Sequence, residues 1–457
     1  MMPQPLVPHC GISHAASRRS PANLLGRALL WCALFTIIFQ PEFARLGGEA
    51  QSLAYHKIVA GFRVIDVLLL ALVLSHVVAW GCLRRKRLAF PCSLAAPGIA
   101  FIVCIAAAMC YGASRGGNNF FFDWRGLALG IGLYVVWSFW LQQPSDVAAA
   151  LQVFLAYAGI RIALLFVLYL CGKGDILGGV AIPTFDGPVI SCAVFAALLA
   201  FSFSEHGSGK KLLLRACLGL AACLFVLLCL RRTYWGELAI GTLVLLLLRR
   251  RARVKSFALA VVAIAIAVAV LGSSFSQRVQ SLDVSRDDTQ FSADNADHVL
   301  DLVDAWYEIR QSPVMGIGLG TSYPTWQIRN WKQESVMVHN AALHVWLKYG
   351  IAGLICYLWF HIGLLKWLYQ QSRAARGRNT ALAAAALAYF TAQFVMTLGF
   401  APWPYSELQL TTLMSFVLAA AASPSAMSYP IVLAAPRRRQ PSPHVTVQPG
   451  SSLPVSS

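Results

Sequence analysis

The sequence predicts an all-α polytopic membrane protein, and three observations carry that expectation. Of 457 residues, 58% are hydrophobic and only 12% charged, about half the charged fraction of a soluble domain, and the mean hydropathy is +0.63. Apolar runs of roughly 20 residues, the length that crosses a hydrocarbon core, recur along most of the chain. These runs are continuous rather than alternating, which selects helices over a β-barrel.

Hydropathy places about twelve spans, at 24–40, 58–81, 94–111, 126–141, 147–170, 188–203, 212–230, 233–248, 256–271, 350–369, 380–398 and 408–422. With the N-terminus in the cytoplasm, the inside segments hold 21 of the 37 basic residues, from Arg18 and Arg19 through Arg84–Arg87 and Arg249–Arg253 to Arg437–Arg439. Only Asp146 and Glu205 are acidic there. That bias is the positive-inside rule, and it orients both termini to the cytoplasm. The net charge of +18 is therefore topological, and nucleic acid is excluded as the partner it serves.

Residues 1–23 read as a cytoplasmic tail before a retained anchor, since no clear small-residue cleavage site follows. Residues 24–271 hold spans one to nine, 272–349 a long periplasmic loop with short helices, and 350–422 the last three spans. Residues 423–457, rich in Pro and Ser, read as a disordered cytoplasmic tail. The twelve cysteines are scattered singly with no CxxC, which offers no metal site or disulfide framework. Cys110 and Cys171 both fall near outer span ends, so a bridge between them stays open.

The periplasmic loop contains nine of the nineteen acids, and a loop this long in a compact chain is usually functional. From Asp297 to Gln311, Val299, Leu302, Val303, Trp306 and Ile309 recur at helical spacing, and Ser312-Pro313 ends the pattern. Next comes "PVMGIGLGTSYP". Its Gly316, Gly318 and Gly320 lack the strand context of a phosphate loop and read as a flexible turn against the membrane helices. In "SVMVHNAALHVWLKYGIAGL", His339 and Asn340 open a short surface helix, and Gly350 begins the tenth span.

A histidine at the membrane lip titrates near neutrality and can take a proton from a hydroxyl; the plainer reading is an interfacial residue anchoring a helix end. A metal site is not expected, because His339 and His344 at i,i+5 point about 140° apart on a helix. Arg231 and Arg232 lie in a hairpin with almost no loop between spans seven and eight, where snorkelling alone accounts for them. Arg161 lies within span five, and Arg63 and Asp66 are spaced to pair at i,i+3 in span two. A charge near the bilayer centre costs roughly 2.5–3.5 kcal/mol on insertion scales, so it needs a partner or a task. Guanidinium groups bind a diphosphate in bidentate fashion. They stabilise it most as it gains charge on leaving a glycosyl carbon. Trp306, Trp326, Trp331 and Trp346 serve equally as faces for sugar rings or as belt residues.

Three stretches, "RRTYWGELAIG", "SPVMGIGLGTSYP" and "VHNAALHVWLKYGIAGL", together resemble the O-antigen ligase and polymerase group of bacterial membrane glycosyltransferases. The order of the motifs, the twelve-span layout and the long outside loop match over roughly residues 24 to 422. The resemblance implies a GT-C-like membrane fold, an undecaprenyl-diphosphate-linked glycan donor, and transfer on the periplasmic side of the inner membrane without metal or cofactor. It also implies His339 as the base and Arg232 as the diphosphate arginine. Charge and placement add Arg231, Arg161 and Arg286 as substrate-binding candidates, with Asn340 beside the base; Lys348 stands where many members have Glu.

The expected activity is transfer of a glycan to an acceptor hydroxyl, on lipid A–core for a ligase or on a growing surface polysaccharide or exopolysaccharide for a polymerase. A protein acceptor is a third form. The rival from another class is a transporter of an anion or sugar built on Arg63, Asp66 and Arg161. Against it, no pair of Gly- or Pro-interrupted spans recurs in matching halves.

Overall fold

A computed structural model describes Trp31 and residues 64–83, 90–117, 120–177, 180–184, 186–203, 209–248, 290–326, 332–335, 338–374, 378–399 and 408–423, with isolated positions between 261 and 272. Its helices are α1 (Val64–Leu83), α2 (Cys92–Ser114), α3 (Phe120–Trp140), α4 (Pro144–Leu170), α5 (Gly187–Phe203), α6 (Lys210–Leu228), α7 (Arg232–Leu248), α8 (Gln290–Gln311), α9 (Ala341–Ala374), α10 (Arg378–Gly399) and α11 (Leu408–Ala422). All but α8 coincide with an expected span. The spans expected at 24–40 and 256–271 fall largely outside the described residues.

Among the described residues, four helices are long and apolar enough to cross a membrane, Cys92–Ser114, Pro144–Leu170, Ala341–Arg373 and Thr380–Gly399, and five more are apolar but shorter. Outward faces carry apolar side chains such as Ile99, Val103, Ile160 and Leu170, all more than half exposed. In water such surfaces would be a liability; against lipid they are the solvent-matched choice. The chain is an all-α membrane protein.

The bundle is organised around α5. Every residue from Gly187 to Phe203 is buried, as an all-round apolar helix requires. A line of rings crosses the interior: Trp137 of α3 meets Phe416 of α11 (centroids 4.9 Å apart), Phe416 meets Phe154 of α4 (5.6 Å), Phe154 meets Phe195 of α5 (5.4 Å) and Phe195 meets Tyr389 of α10 (5.3 Å). Ala381 and Ala383–Ala386 of α10 are all buried; small side chains let helix backbones approach where no hydrophobic effect drives them together.

Two features were not expected from the sequence. The chain forms two antiparallel hairpins, β1 (Asp175–Leu177) with β2 (Val180–Ile182) and β3 (Tyr323–Trp326) with β4 (Lys332–Ser335). Three- and four-residue strands carry too little alternation to register as a period. Helix α8 also begins seven residues before the expected Asp297, because its first turns are polar and show no apolar period. Its end at Gln311 is as expected.

Helix α9 is broken at Gly350, whose φ of 69° and ψ of −175° are not helical. The break separates a short segment, Ala341–Tyr349, from the long span beyond it. The glycine-rich turn after α8 is seated in this break. The Ile317 amide donates to the Leu347 carbonyl at 2.7 Å, and the Ile351 amide donates to the Pro313 carbonyl at 3.1 Å. A Cβ on Gly350 would overlap the Val314 carbonyl oxygen. On its other side the turn rests on α2, where the Leu319 amide donates to Ala108 at 3.0 Å. The turn, expected to lie against the membrane helices, is wedged between α2 and α9, with Gly316–Gly320 buried.

Candidate functional site

Asn340 begins the short segment of α9 in the way helix propensity dictates. Its side-chain oxygen accepts from the Leu343 amide at 3.0 Å, an N-cap. Both amide hydrogens are also committed, to the carbonyls of Leu398 at 2.6 Å and Gly399 at 3.1 Å. Those are the end carbonyls of α10, which no intrahelical donor can reach. Asn340 therefore ties the start of α9 to the end of α10, and its side chain is engaged in the fold.

His339 precedes this cap on non-helical backbone and is fixed from α8. Its amide donates to Oδ2 of Asp301 at 2.8 Å, and its ring Nδ1 lies 3.0 Å from the same oxygen. The other oxygen, Oδ1, accepts from the Tyr323 hydroxyl at 2.6 Å. The imidazole is 41% exposed and the carboxylate 13%, so the ring reaches solvent while its partner is largely covered. Burial pushes the Asp301 carboxyl up, but the hydrogen bonds from His339 and Tyr323 outweigh it and hold the group below the ordinary carboxylate range. Beneath the pair, Ala305, Ile309, Ile317, Tyr323, Val338 and Leu347 form a small core separate from the main one. This core fastens α8 to the short segment of α9.

A second ion pair anchors the same segment from the other side. Lys348, fully buried, lies 3.1 Å from Oδ2 of Asp123 on α3. It also donates to the Thr321 carbonyl, while the Gly320 amide donates to Asp123 at 2.8 Å. Both charges are thus paired and hydrogen-bonded, the condition for burying them at all.

Two of the candidate arginines, Arg161 and Arg231, lie near the first turns of α5. Helix α6 ends at Leu228 and α7 begins at Arg232. Leu230 takes a positive φ of 53° to close the turn, and Trp235 locks it by donating to the Val226 and Leu227 carbonyls, each at 3.2 Å. Arg231 and Arg232 are both partly exposed, and Nη1 of Arg231 lies 3.7 Å from where a Cβ on Gly187 would stand. Arg161 is buried on α4, in a small pocket formed with Tyr157 and with Val189, Cys192 and Ala193 of α5. It faces the bundle and not the lipid. Arg161 and Arg231 thus border the first turns of α5 from two elements. Arg286 lies outside the described residues, as do Arg63 and Trp331.

Packing relates this arginine hairpin to His339. Gly236, one turn past Arg232, stands against Met396 of α10, whose Sδ would be 2.6 Å from a Cβ there. Two and three residues beyond Met396 are the carbonyls that hold Asn340. Arg232 and His339 therefore occupy the same end of the bundle, on elements joined through the end of α10. Below them Gln393 of α10 donates to Oε2 of Glu237 at 2.9 Å and to Ser191 at 2.7 Å, and Ser191 lies 2.9 Å from the Tyr389 hydroxyl. This buried polar network links α5, α7 and α10.

Sequence reasoning missed Asp301, Tyr323, Asp123 and Glu237 as members of this region. Asp301 was one acid among nine in its loop, and nothing in its own neighbourhood points 38 residues ahead to His339. Asp66 is bound by Nε of Arg125 on α3 at 2.6 Å, a partner 59 residues away; its expected pairing with Arg63 lies outside the described residues. Cys110 and Cys171 are free thiols. No group of three or more metal-ligating side chains occurs among the described residues. Trp306 and Trp346 meet edge to face, with centroids 5.6 Å apart.

A cavity of about 340 Å³ opens between α2, α3, α9 and α11, but its lining is apolar apart from the hydroxyls of Tyr134, Thr411 and Ser415. No acid, base or cation is among its described lining residues.

Residues 216–358 match the protein family described as O-antigen ligase. The match covers about a third of the chain, and it takes in the arginine hairpin, α8, the glycine-rich turn, His339 and the break at Gly350. No curated protein matches the chain.

Proposed function

On the premise that residues 216–358 carry an O-antigen ligase domain, we propose that this membrane protein transfers a glycan from an undecaprenyl-diphosphate carrier to an acceptor hydroxyl. The reaction takes place at the periplasmic face of a bacterial inner membrane. In this reading His339 is the base, and Arg232, helped by Arg231 and Arg161, holds the diphosphate. The twelve-span, GT-C-like layout with both termini in the cytoplasm belongs to the same reading. The observation that supports it is that the elements bearing Arg232 and His339 meet the same end of α10, through Gly236 with Met396 and through Asn340 with Leu398.

The steps follow from charge. Nε2 of His339 accepts the proton of the acceptor hydroxyl as its oxygen attacks the anomeric carbon. The bond from that carbon to the diphosphate breaks, and its electron pair stays on the diphosphate oxygen. The leaving group gains negative charge, and arginines already in place stabilise it more than they stabilise the ground state. No step requires a metal. Asn340, whose side chain is engaged by the cap and by α10, positions its neighbour and stays a substrate-binding candidate beside the base. Arg286 is retained as a substrate-binding candidate on charge alone.

The acceptor, lipid A–core or a growing chain, is decided by experiment. In cells carrying His339→Ala at normal protein levels, long glycans stranded on the carrier identify a ligase, and single repeat units alone identify a polymerase. An unchanged carrier profile overturns the reading and leaves transport as the rival.

A further inference from the structure

We propose that Asp301 is the positioning residue for His339, fixing which ring nitrogen carries the proton, and that Tyr323 holds Asp301 in place for that task. The inference rests on the reading of His339 as a base, but its test does not depend on that reading.

Three contacts converge on one carboxylate. Oδ2 receives both the backbone amide of His339 (2.8 Å) and its ring Nδ1 (3.0 Å). A carboxylate with a depressed pKa is ionised and can only accept, so the proton at this contact belongs to Nδ1. Nε2 is then the basic nitrogen of the neutral ring. Without the carboxylate the ring can take either tautomer and rotate about its side-chain bonds. The backbone contact adds a second constraint, because it sets the peptide from which the ring projects.

Tyr323 supplies the remaining restraint. Its hydroxyl donates to Oδ1 at 2.6 Å, its ring is buried, and its backbone is held by the β3–β4 register opposite Ser335. The carboxylate is therefore clamped at both oxygens, by a residue of the α9 lead-in and by a residue of a hairpin. A carboxylate serving only to anchor the chain would need the amide contact and not the ring.

A carboxylate oxygen 3.0 Å from Nδ1 holds the ring proton on that nitrogen, so removing the carboxylate lets the neutral ring take either tautomer. Other titratable groups around Asp301, among the described residues, are Tyr323 on β3, Asp304 one turn along α8, and His344 on α9. Asp301→Asn leaves all of these in place. Asparagine can still accept from the His339 amide, so the backbone contact survives while the charge is lost.

The test uses the full-length protein in detergent or native membranes. The ring-nitrogen NMR shifts of isotopically labelled His339, assigned against a His339→Ala spectrum, report which nitrogen carries the proton. In the wild type the form protonated at Nδ1 predominates; in Asp301→Asn the form protonated at Nε2 gains population, and in Tyr323→Phe it gains less. Glycan transfer per molecule falls about 100-fold or more in Asp301→Asn, the scale of losing a positioned base. An unchanged tautomer population in both variants overturns the inference. So does an Asp301→Asn protein that is less stable but keeps its activity per molecule. If Asp301→Asn does not fold, an unchanged population in Tyr323→Phe overturns it alone. If His339→Ala retains full transfer while the populations move as stated, the catalytic reading fails and the positioning stands.

Discussion

The buried ion pair between Lys348 and Asp123 shows how a single residue inverts a simple expectation. A lysine near the start of a span is a poor choice unless something neutralises it, and here Asp123, the Gly320 amide and the Thr321 carbonyl all converge on that task. Breaking such a pair costs more than replacing it, because one partner leaves the other's charge stranded. Lys348→Met alone should destabilise the protein by about 3–5 kcal/mol. Lys348→Met with Asp123→Leu should recover a large part of that loss. Thermal unfolding of the purified variants checks this; equal loss in the single and double variants would show that the pair is not coupled. The asymmetry also explains why this charge at position 348 looked out of place when read alone. Its partner is 225 residues away.

At the scale of the element, the break in α9 links two glycine motifs that the sequence presents separately. Gly316, with φ of 68°, and Gly350, with φ of 69°, stand so close that a Cβ on Gly316 would come within 2.8 Å of the Gly350 amide nitrogen. Each needs a left-handed backbone and has no room for a side chain, for reasons that lie in the other motif. Gly350→Ala should therefore incur both backbone strain and a clash with the Val314 carbonyl. We expect a loss of about 2 kcal/mol or more, read as a lowered melting temperature. The same substitution should also lower transfer activity, since the turn it displaces supports the segment bearing His339. Normal stability with Ala at this position would mean that the break is not obligatory. The hairpin at Cys229–Arg231 is the simpler case, since a near-absent loop between two apolar runs already predicts antiparallel neighbours.

For the whole molecule, the arrangement of helices is itself testable. Cys104 of α2 and Cys356 of α9 have their sulfur atoms 3.8 Å apart, although 252 residues separate them. A membrane-permeant oxidant should join them as an intramolecular disulfide, detected by peptide mapping and abolished by Cys104→Ser. Failure to cross-link would place α2 and α9 differently. What the sequence by itself determined is the class of protein and the limits of most elements. Apolar runs and charge bias respond to the bilayer as solvent, and that constraint acts locally on each span. It also pointed to His339 and the arginine hairpin, because unusual residues at span ends stand out against an apolar background. The tertiary structure alone decided that Asp301 of the loop meets His339, that Asp66 meets Arg125, that Asn340 is engaged by α10, and that Arg161 faces α5. Each of these is a contact between segments far apart in the chain. Such partners are chosen by packing, and packing leaves no periodic trace in either partner's own neighbourhood.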